Sequence, residues 1–244
     1  MSYQQYQPYP ALAPYIDAYW TVTGDKAVTV TNRIMPDGCV DIIINKGDDF
    51  TTDNGHAVLK HAAAYLVGTM THYKDTILRP GTNLLGIRFK PAAFAVFYSY
   101  VSLHEVTDLS VEFDKKLTPA FVLHDHDIIN QLNRFFINRL SPPKHTLFPV
   151  IDIINSCKGR ITVEALAKNN FTSVRQLERH FKRYIGTGPK EFISFIRYET
   201  ALHHIRRHAA TRSLQDIAFD TGYYDHAHLS NEIKRYTGLA PSQL

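Results

Sequence analysis

The first half of the chain consists of short apolar runs separated by turn-forming residues. Between residues 15 and 90, five runs rich in β-branched and aromatic residues are bounded by Gly, Pro, Asn or Asp. Runs of this kind are typical of β-strands. We therefore predict a mostly antiparallel β-domain, with a tight turn at Pro36-Asp37-Gly38. The five runs are YWTVT, VTVTNRIM, CVDIIIN, AYLVGT and LLGIRFK.

After Pro91 the apolar positions recur with a helical period instead. The segments AAFAVFYSY and DIINQLNRFFINRL both fit helices. In the second segment, Ile129, Leu132, Phe136 and Leu140 share one face. A wide apolar stripe either packs on a neighbouring β-domain or forms the seam of a dimer, and the sequence leaves both alternatives open.

Two adjacent prolines interrupt the helical pattern in SPPKH, residues 141–145. We predict a linker there, between one domain at residues 1–140 and another at residues 146–244. The first 140 residues carry 12 Lys and Arg against 14 Asp and Glu, whereas the remainder carries 15 against 9. A basic half beside a slightly acidic half favours a polyanion-binding domain joined to a second module.

The sequence shows neither a leader or membrane-spanning pattern nor a complete set of metal ligands. The chain begins without a basic and apolar leader, and no stretch approaches about eighteen uninterrupted apolar residues. We therefore expect a cytoplasmic protein without a membrane partner. The close HxH pairs lack a third ligand at suitable spacing, so we expect no metal and no cofactor. These pairs are His124/His126 and His226/His228.

The last hundred residues contain an internal repeat. ITVEALAKNNFTSVRQLERHFKRYIGTGP, residues 161–189, aligns with RSLQDIAFDTGYYDHAHLSNEIKRYTGLAP, residues 212–241. The two copies share an alanine in the first helical segment, a Lys-Arg-Tyr triplet and a final Gly-x-x-Pro. Two copies of one supersecondary unit are the simplest explanation.

Each copy has the pattern of a helix-turn-helix, in which two short capped helices are joined by a turn and ended by Gly and Pro. We place the units at about residues 161–186 and 212–238. PKEFISFIRYETALHHIRRH between them predicts one helix of about 28 Å, close to the ~34 Å between successive major-groove faces. The expected N-caps, which would lie near DNA phosphates, are Thr162, Ser173, Ser213 and Asp225.

Helical phase divides the second helix of each unit into a core face and an outward face. The outward side chains include arginines, which can bind guanine edges with two hydrogen bonds, and an asparagine, which can do the same at adenine. Lysines near the helix ends suit phosphates. The candidate DNA-binding residues are Arg175, Glu178, Arg179 and Lys182 in the first unit, and Ala227, His228, Asn231 and Lys234 in the second.

GYYDHAHLSNEIKRYTGLAPSQ resembles the most recognisable stretch of the AraC/XylS family of regulators, and residues 145–244 are similar to that family's DNA-binding domain. The resemblance implies two recognition helices that enter adjacent major grooves, after a domain that senses an effector or dimerises. Leu229 and Ile233 depart from the family's usual Phe, and Asn231 replaces a common Arg. The positions that the resemblance assigns to DNA contact are Arg175, Glu178, Arg179, Ala227, His228 and Asn231.

PDGCVDIIIN and GIRFKPAAF resemble, more weakly, the β-rich sensor domains that precede such units. This implies an α+β protein: a cupin-like barrel or half-barrel with helices, followed by an all-α domain in which a long helix joins the two units. Arg88 is the strongest effector candidate, because a guanidinium inside a barrel suits a carboxylate or phosphate. The other candidates, which are otherwise ordinary turn or surface residues, are Asp37, Cys39, Asp41 and His72.

Together these features predict a sequence-specific DNA-binding transcriptional regulator whose N-terminal domain responds to a small molecule. The expected partners are promoter or operator DNA, with RNA polymerase and a second copy of the chain as further candidates. We expect no enzyme, because the sequence has no HExxH, GxSxG or P-loop motif. The alternative is an enzyme or repair-type protein that uses the two units for targeting, and a strongly lowered pKa of Cys39 would favour it. An architectural DNA binder would bind all sequences similarly.

Overall fold

A computed structural model describes residues 2–24, 28–99, 102–119, 127–143, 145–208 and 211–244. The pair His124/His126 and the linker residue Lys144 lie outside the described residues. We call the elements before and after the linker the N-terminal and C-terminal domains. None of the described helices has the length and apolar character that a membrane span needs.

The N-terminal domain is built on an open antiparallel sheet. Its strands are β1 (Ser2–Tyr6), β2 (Ile16–Thr23), β4 (Val40–Asn45), β7 (Ala64–Val67), β9 (Asn83–Phe89) and β10 (Ser110–Phe113). They lie in the order β1-β2-β9-β4-β7-β10. Two small sheets pair β3 (Val30–Ile34) with β8 (Lys74–Leu78) and β5 (Phe50–Thr52) with β6 (Ala57–Leu59). The mostly antiparallel β-domain is therefore confirmed, and its open sheet is closer to a half-barrel than to a closed barrel.

One face of the main sheet packs against two helices, α1 (Phe94–Phe97) and α2 (Ile128–Arg139). Leu132 and Phe136 of α2 are fully buried in this core. The apolar stripe thus packs on the β-domain, which decides between the two alternatives left open by the sequence. Leu140, predicted on the same stripe, is 38% exposed because the helix ends one residue before it.

The opposite face of the main sheet carries a second, smaller core, over which the two small sheets fold. Trp20, the only tryptophan of the chain, is buried there against the backbone of Gly86. A Cβ atom at Gly86 would lie 1.9 Å from Trp20 Cε2, so this strand position requires glycine. The other buried members of this core are Phe50, Leu59, Tyr65, Leu78 and Leu84.

Each of the five predicted runs contains a strand, but two local predictions change in detail. AAFAVFYSY forms only the four-residue helix α1, because Tyr98 is extended and stacks its buried ring on Phe94 at 4.9 Å. Pro36-Asp37-Gly38 does turn, with Gly38 at φ +70° and Asp37 Oδ1 accepting the Cys39 N–H. The turn joins strands of different sheets rather than a hairpin, because β3 pairs with β8.

The C-terminal domain is all α-helical, as predicted. Its first unit is α4 (Val163–Asn169) and α5 (Val174–Tyr184), its second is α7 (Leu214–Asp220) and α8 (His226–Thr237), and the long helix α6 (Pro189–His208) joins them. Each unit packs around its own buried apolar cluster. Helix α3 (Leu147–Ser156) precedes the first unit.

We predict that Gly86→Ala lowers the free energy of unfolding by about 2 kcal/mol, because the added methyl group overpacks the sheet beneath a rigid indole ring. Urea unfolding followed by Trp20 fluorescence measures both the stability and the local displacement. An unchanged unfolding midpoint together with unchanged native emission would contradict the close approach of Trp20 and Gly86.

Candidate DNA-binding face and ligand cavity

The four predicted N-caps open the four helices of the two units. Each cap side chain accepts a hydrogen bond from a backbone N–H group three residues further on, at distances of 2.7 to 3.2 Å. These contacts fix where each helix begins, and each helix has the partial positive charge of its dipole at that end. The cap and donor pairs are Thr162–Ala165, Ser173–Gln176, Ser213–Asp216 and Asp225–His228.

The recognition helix of the first unit, α5, exposes a basic face. Leu177 and Phe181 are buried, which turns the intervening polar side chains outward. Among the described residues, the three cations of this face form no ion pair with an acidic side chain. Their charges are therefore available to an anionic partner. The exposed candidates on α5 are Arg175, Glu178, Arg179 and Lys182.

The recognition helix of the second unit, α8, is arranged in the same way. Leu229 and Ile233, which depart from the family's usual Phe, are fully buried and fill the core with branched aliphatic side chains. His226 Nδ1 lies 2.8 Å from Gln215 Oε1 of α7, which ties the start of α8 to its partner helix. The exposed candidates on α8 are Ala227, His228, Asn231 and Lys234.

Two exposed aromatic residues lie near these faces and were not among the predicted DNA-binding residues. Phe171 is fully exposed in the turn between α4 and α5, and Tyr224 is 85% exposed in the turn between α7 and α8. Helical phase assigns faces only within a helix, so it does not indicate which turn residues are exposed. The signal that would have found them is a large aromatic side chain placed just before each second N-cap.

The N-terminal domain contacts the C-terminal end of α5 through hydrogen bonds to backbone carbonyl groups. The hydroxyl of Thr69 donates to Ile185 O, and the hydroxyl of Thr107 donates to Gly186 O at 2.9 Å. His104 Nδ1 lies 2.8 Å from the same Gly186 oxygen. Carbonyl groups at a helix end have no partner within the helix, so the N-terminal domain supplies the hydrogen-bond partners that α5 itself cannot.

The C-terminal end of α8 meets the N-terminal domain at a second contact. Arg33 donates from Nη1 to Thr237 O at 3.2 Å while Asp75 binds its Nε and Nη2 at 2.8 and 2.9 Å. Its guanidinium lies 4.2 Å from the ring centroid of Tyr73. Gly238 ends the helix at φ +72°, and a Cβ there would lie 2.6 Å from the Tyr73 ring. Glycine is thus required both by the backbone conformation and by the approach of the two domains.

A cavity of about 450 Å³ lies in the N-terminal domain between the main sheet and the small sheets. Four of the five effector candidates line it: Asp37, Cys39, Asp41 and Arg88. His72 does not line it. This side chain is 49% exposed on the surface, with Nδ1 3.5 Å from Asp108 Oδ1.

Arg88 is paired with two carboxylates of the protein itself. Its Nε lies 3.0 Å from Asp37 Oδ2 and 3.5 Å from Asp41 Oδ2, which are ion-pair distances, although the angles at this nitrogen do not make a hydrogen bond. Trp20 Nε1 donates to Asp41 Oδ1 at 2.7 Å. Burial raises the pKa of Asp41 to about 6, although Arg88 acts in the opposite direction. The expectation that Arg88 awaits a carboxylate or phosphate therefore needs correction, because two aspartates already compensate its charge.

Cys39 lies beside the same two carboxylates. Burial raises the pKa of its thiol well above the usual value, and Asp37 and Asp41 raise it further. A nucleophilic cysteine needs the opposite environment, in which nearby cations stabilise the thiolate. Arg88 lowers the pKa of the thiol, but burial and the two carboxylates outweigh it, so the raised pKa opposes the reactive Cys39 on which the enzyme alternative depended.

These features define a protein with two helix-turn-helix units. Comparisons with known proteins then show which families the two parts of the chain match. Residues 166–244 match a family model described as a helix-turn-helix domain, and residues 4–112 match one described as a domain of unknown function, DUF6597. The C-terminal domain is an AraC-type helix-turn-helix domain. The resemblance drawn from its sequence is thereby confirmed.

The chain is similar to one curated regulator over a limited segment. The HTH-type transcriptional activator RhaS of Escherichia fergusonii is 31% identical over 84 residues, which are 34% of this chain and 30% of RhaS. The matched segment thus spans less than a third of that relative's length.

Two solved structures are among those to which the chain is similar. An AraC-type transcriptional regulator from Chromobacterium violaceum covers 40% of this chain and 86% of its own, with 22% identity and a TM-score of 0.37. ToxT from Vibrio cholerae covers 100% of this chain and 97% of its own, with 10% identity and a TM-score of 0.45.

Removing the guanidinium of Arg88 should destabilise the N-terminal domain. We predict that Arg88→Ala lowers the free energy of unfolding by about 3 kcal/mol, because Asp41 is then buried without its cation. Arg79→Ala, which removes an exposed arginine, should change it by less than about 0.5 kcal/mol. Urea unfolding measures both variants, and equal small losses would show that the buried ion pairs do not stabilise this domain.

Proposed function

We propose that this protein regulates transcription by binding a specific DNA sequence with both recognition helices. The observation that carries the proposal is the pair of capped helices α5 and α8, whose polar faces are exposed on one all-α domain. The helix between the units has 20 residues and is therefore about 30 Å long, close to the ~34 Å repeat of B-DNA. One molecule would thus bind two successive major grooves on the same side of the duplex.

The exposed side chains divide into those that read bases and those that bind phosphates. Arg175 and Arg179 are suited to guanine edges, and Asn231 is suited to adenine. Lys182 and Lys234, three residues after Arg179 and Asn231, are suited to phosphates, which position the protein without reading sequence. The second unit has an amide where the first has guanidinium groups, so we expect two unlike half-sites.

We further propose that the cavity of the N-terminal domain binds a small-molecule effector. The segments that line it also contact the DNA-binding domain. Gly68 and Met70 line the cavity while Thr69 between them binds the end of α5. Arg33 lines the cavity and binds the end of α8. A ligand that moves these segments would change how both recognition helices are held.

The proposed setting is the bacterial cytoplasm, with promoter or operator DNA as the main partner. RNA polymerase is a proposed protein partner because a regulator must act on transcription, and a second copy of the chain is the other proposed protein partner. An enzyme that uses the units only for targeting is disfavoured by the raised pKa of the Cys39 thiol.

The first recognition helix is tested by Arg175→Ala/Arg179→Ala. Each bidentate contact with a base contributes about 1–3 kcal/mol of discrimination, so we predict that the double variant loses at least tenfold in affinity for a selected site, about one such contact. Its affinity for unrelated DNA should change much less. Fluorescence anisotropy at near-physiological salt measures both affinities.

Arg79→Ala provides the matched control, because it removes an exposed arginine of the N-terminal domain. It should bind the selected site like the wild type. Equal losses on selected and unrelated DNA in the double variant would instead indicate an architectural DNA binder.

The second recognition helix is tested by Asn231→Ala. We predict that this variant relaxes base preference in one half-site and leaves the other half-site unchanged, because Asn231 belongs to α8 alone. Sequencing of DNA selected from a random pool by the wild type and by the variant compares the two half-sites. A change in both half-sites, or in neither, would contradict the assignment of one half-site to each unit.

A further inference from the structure

We propose that the cavity of the N-terminal domain selects a ligand with an apolar body and a cationic amine head. This inference rests on the proposed function, because it names the chemical class of the effector. It reverses the expectation from the sequence, in which Arg88 pointed to an anionic ligand.

The walls of the cavity suit an apolar body. Its volume of about 450 Å³ falls within the range of roughly 300–1,000 Å³ that is usual for small-molecule sites. Buried aromatic and aliphatic side chains of the second core form much of its surface. These apolar lining residues include Trp20, Ile43, Phe50, Leu78 and Leu84.

The polar groups of the floor lie in one row across the main sheet. The strand register places Asp41 opposite Arg88 on β9 and opposite Val67 on β7, and Val67 in turn opposite Ser110 on β10. All four residues line the cavity. Among the described residues, the buried hydroxyl oxygen of Ser110 has no hydrogen-bond partner. It is therefore a free polar atom at the far end of a row that begins with the carboxylates.

Pairing of the charges leaves an excess of one carboxylate at the Arg88 end. Arg33 is compensated by Asp75 at 2.8 Å, and Lys74 by Asp53 at 2.8 Å. Arg88, by contrast, faces two carboxylates, Asp37 at 3.0 Å and Asp41 at 3.5 Å. With each cation matched to its own partner, the Arg88 end of the cavity carries a net charge of about −1 when both aspartates are ionised.

An ammonium head group complements this arrangement of charges, whereas a carboxylate head group does not. An incoming carboxylate would have to compete with Asp37 and Asp41 for the same guanidinium, at the cost of like-charge repulsion. An ammonium group brings three donors and no acceptor, and the two aspartates retain free lone pairs for it. It would also lie near Trp20, whose ring favours cations over its face. Because burial raises the pKa of Asp41, a bound cation would also favour its ionised form.

The test uses the full-length protein and three probes that differ mainly in the head group: phenethylamine, phenethyl alcohol and phenylacetate. Isothermal titration calorimetry measures binding, and Trp20 fluorescence reports whether the probe enters this cavity. We expect phenethylamine to bind at least about tenfold more tightly than phenylacetate, because the excess carboxylate at the Arg88 end attracts an ammonium group and repels a carboxylate. The alcohol should lie between them.

Two isosteric variants locate the selectivity. Asp37→Asn and Asp41→Asn should each reduce the preference for the amine. The double variant leaves Arg88 without a carboxylate, so the preference should shift to phenylacetate. Asp49→Asn is the matched control, because Asp49 pairs with Lys60 on the surface and does not line the cavity. Circular dichroism establishes that each variant is folded, and either single variant suffices if the double variant is not.

Phenylacetate binding that equals or exceeds phenethylamine binding would overturn the proposal, as would the absence of binding by all three probes. An amine preference unchanged in both single variants would overturn it as well. None of these measurements involves DNA, so their failure leaves the DNA affinities of the wild type and the Arg175→Ala/Arg179→Ala variant to decide the proposed function separately.

Discussion

The carbonyl groups at the C-terminal ends of both recognition helices obtain their partners from the N-terminal domain. Thr69, His104 and Thr107 bind the end of α5, and Arg33 binds the end of α8. A helix end cannot satisfy these carbonyls internally, so the same contacts that complete each helix also hold the two units against one body. The orientation of one recognition helix relative to the other is thereby tied to the N-terminal domain, where the ligand cavity lies.

The cavity depends on charges that the protein balances incompletely. A buried ion requires a close partner of opposite charge. Most buried ions of the N-terminal domain are matched one to one, as Lys74 is matched with Asp53. In the group of Arg88 with Asp37 and Asp41, by contrast, one cation faces two carboxylates. The turn that carries Asp37 also brings Gly38 against helix α6, since a Cβ at Gly38 would lie 2.9 Å from the Phe195 ring. The charged end of the cavity is therefore one residue away from the DNA-binding domain.

Structural features that depend on residues close together in the sequence could be predicted from it, whereas features that depend on contacts between distant residues could not. The caps Ser173 and Asp225 were predictable because each bonds a group three residues away. Arg88 lies on the face of β9 opposite to Ile87, as the alternation of side chains along a strand requires, but its partner Asp41 lies on a neighbouring strand, 47 positions earlier in the chain. Strand β8 and helix α3 were not predicted. Strand β8 has too few apolar residues to show a period, and the apolar residues of α3 are spread too evenly along the helix to show one.

Whether the two units read DNA sequence is decided by mixing the protein with sheared genomic DNA at near-physiological salt and sequencing the bound fragments. We expect a few enriched sites that share a motif of two unlike half-sites, with centres about one helical turn, or ~34 Å, apart. Uniform recovery of fragments without a shared motif, with the N-terminal cavity both empty and loaded with phenethylamine, would contradict it.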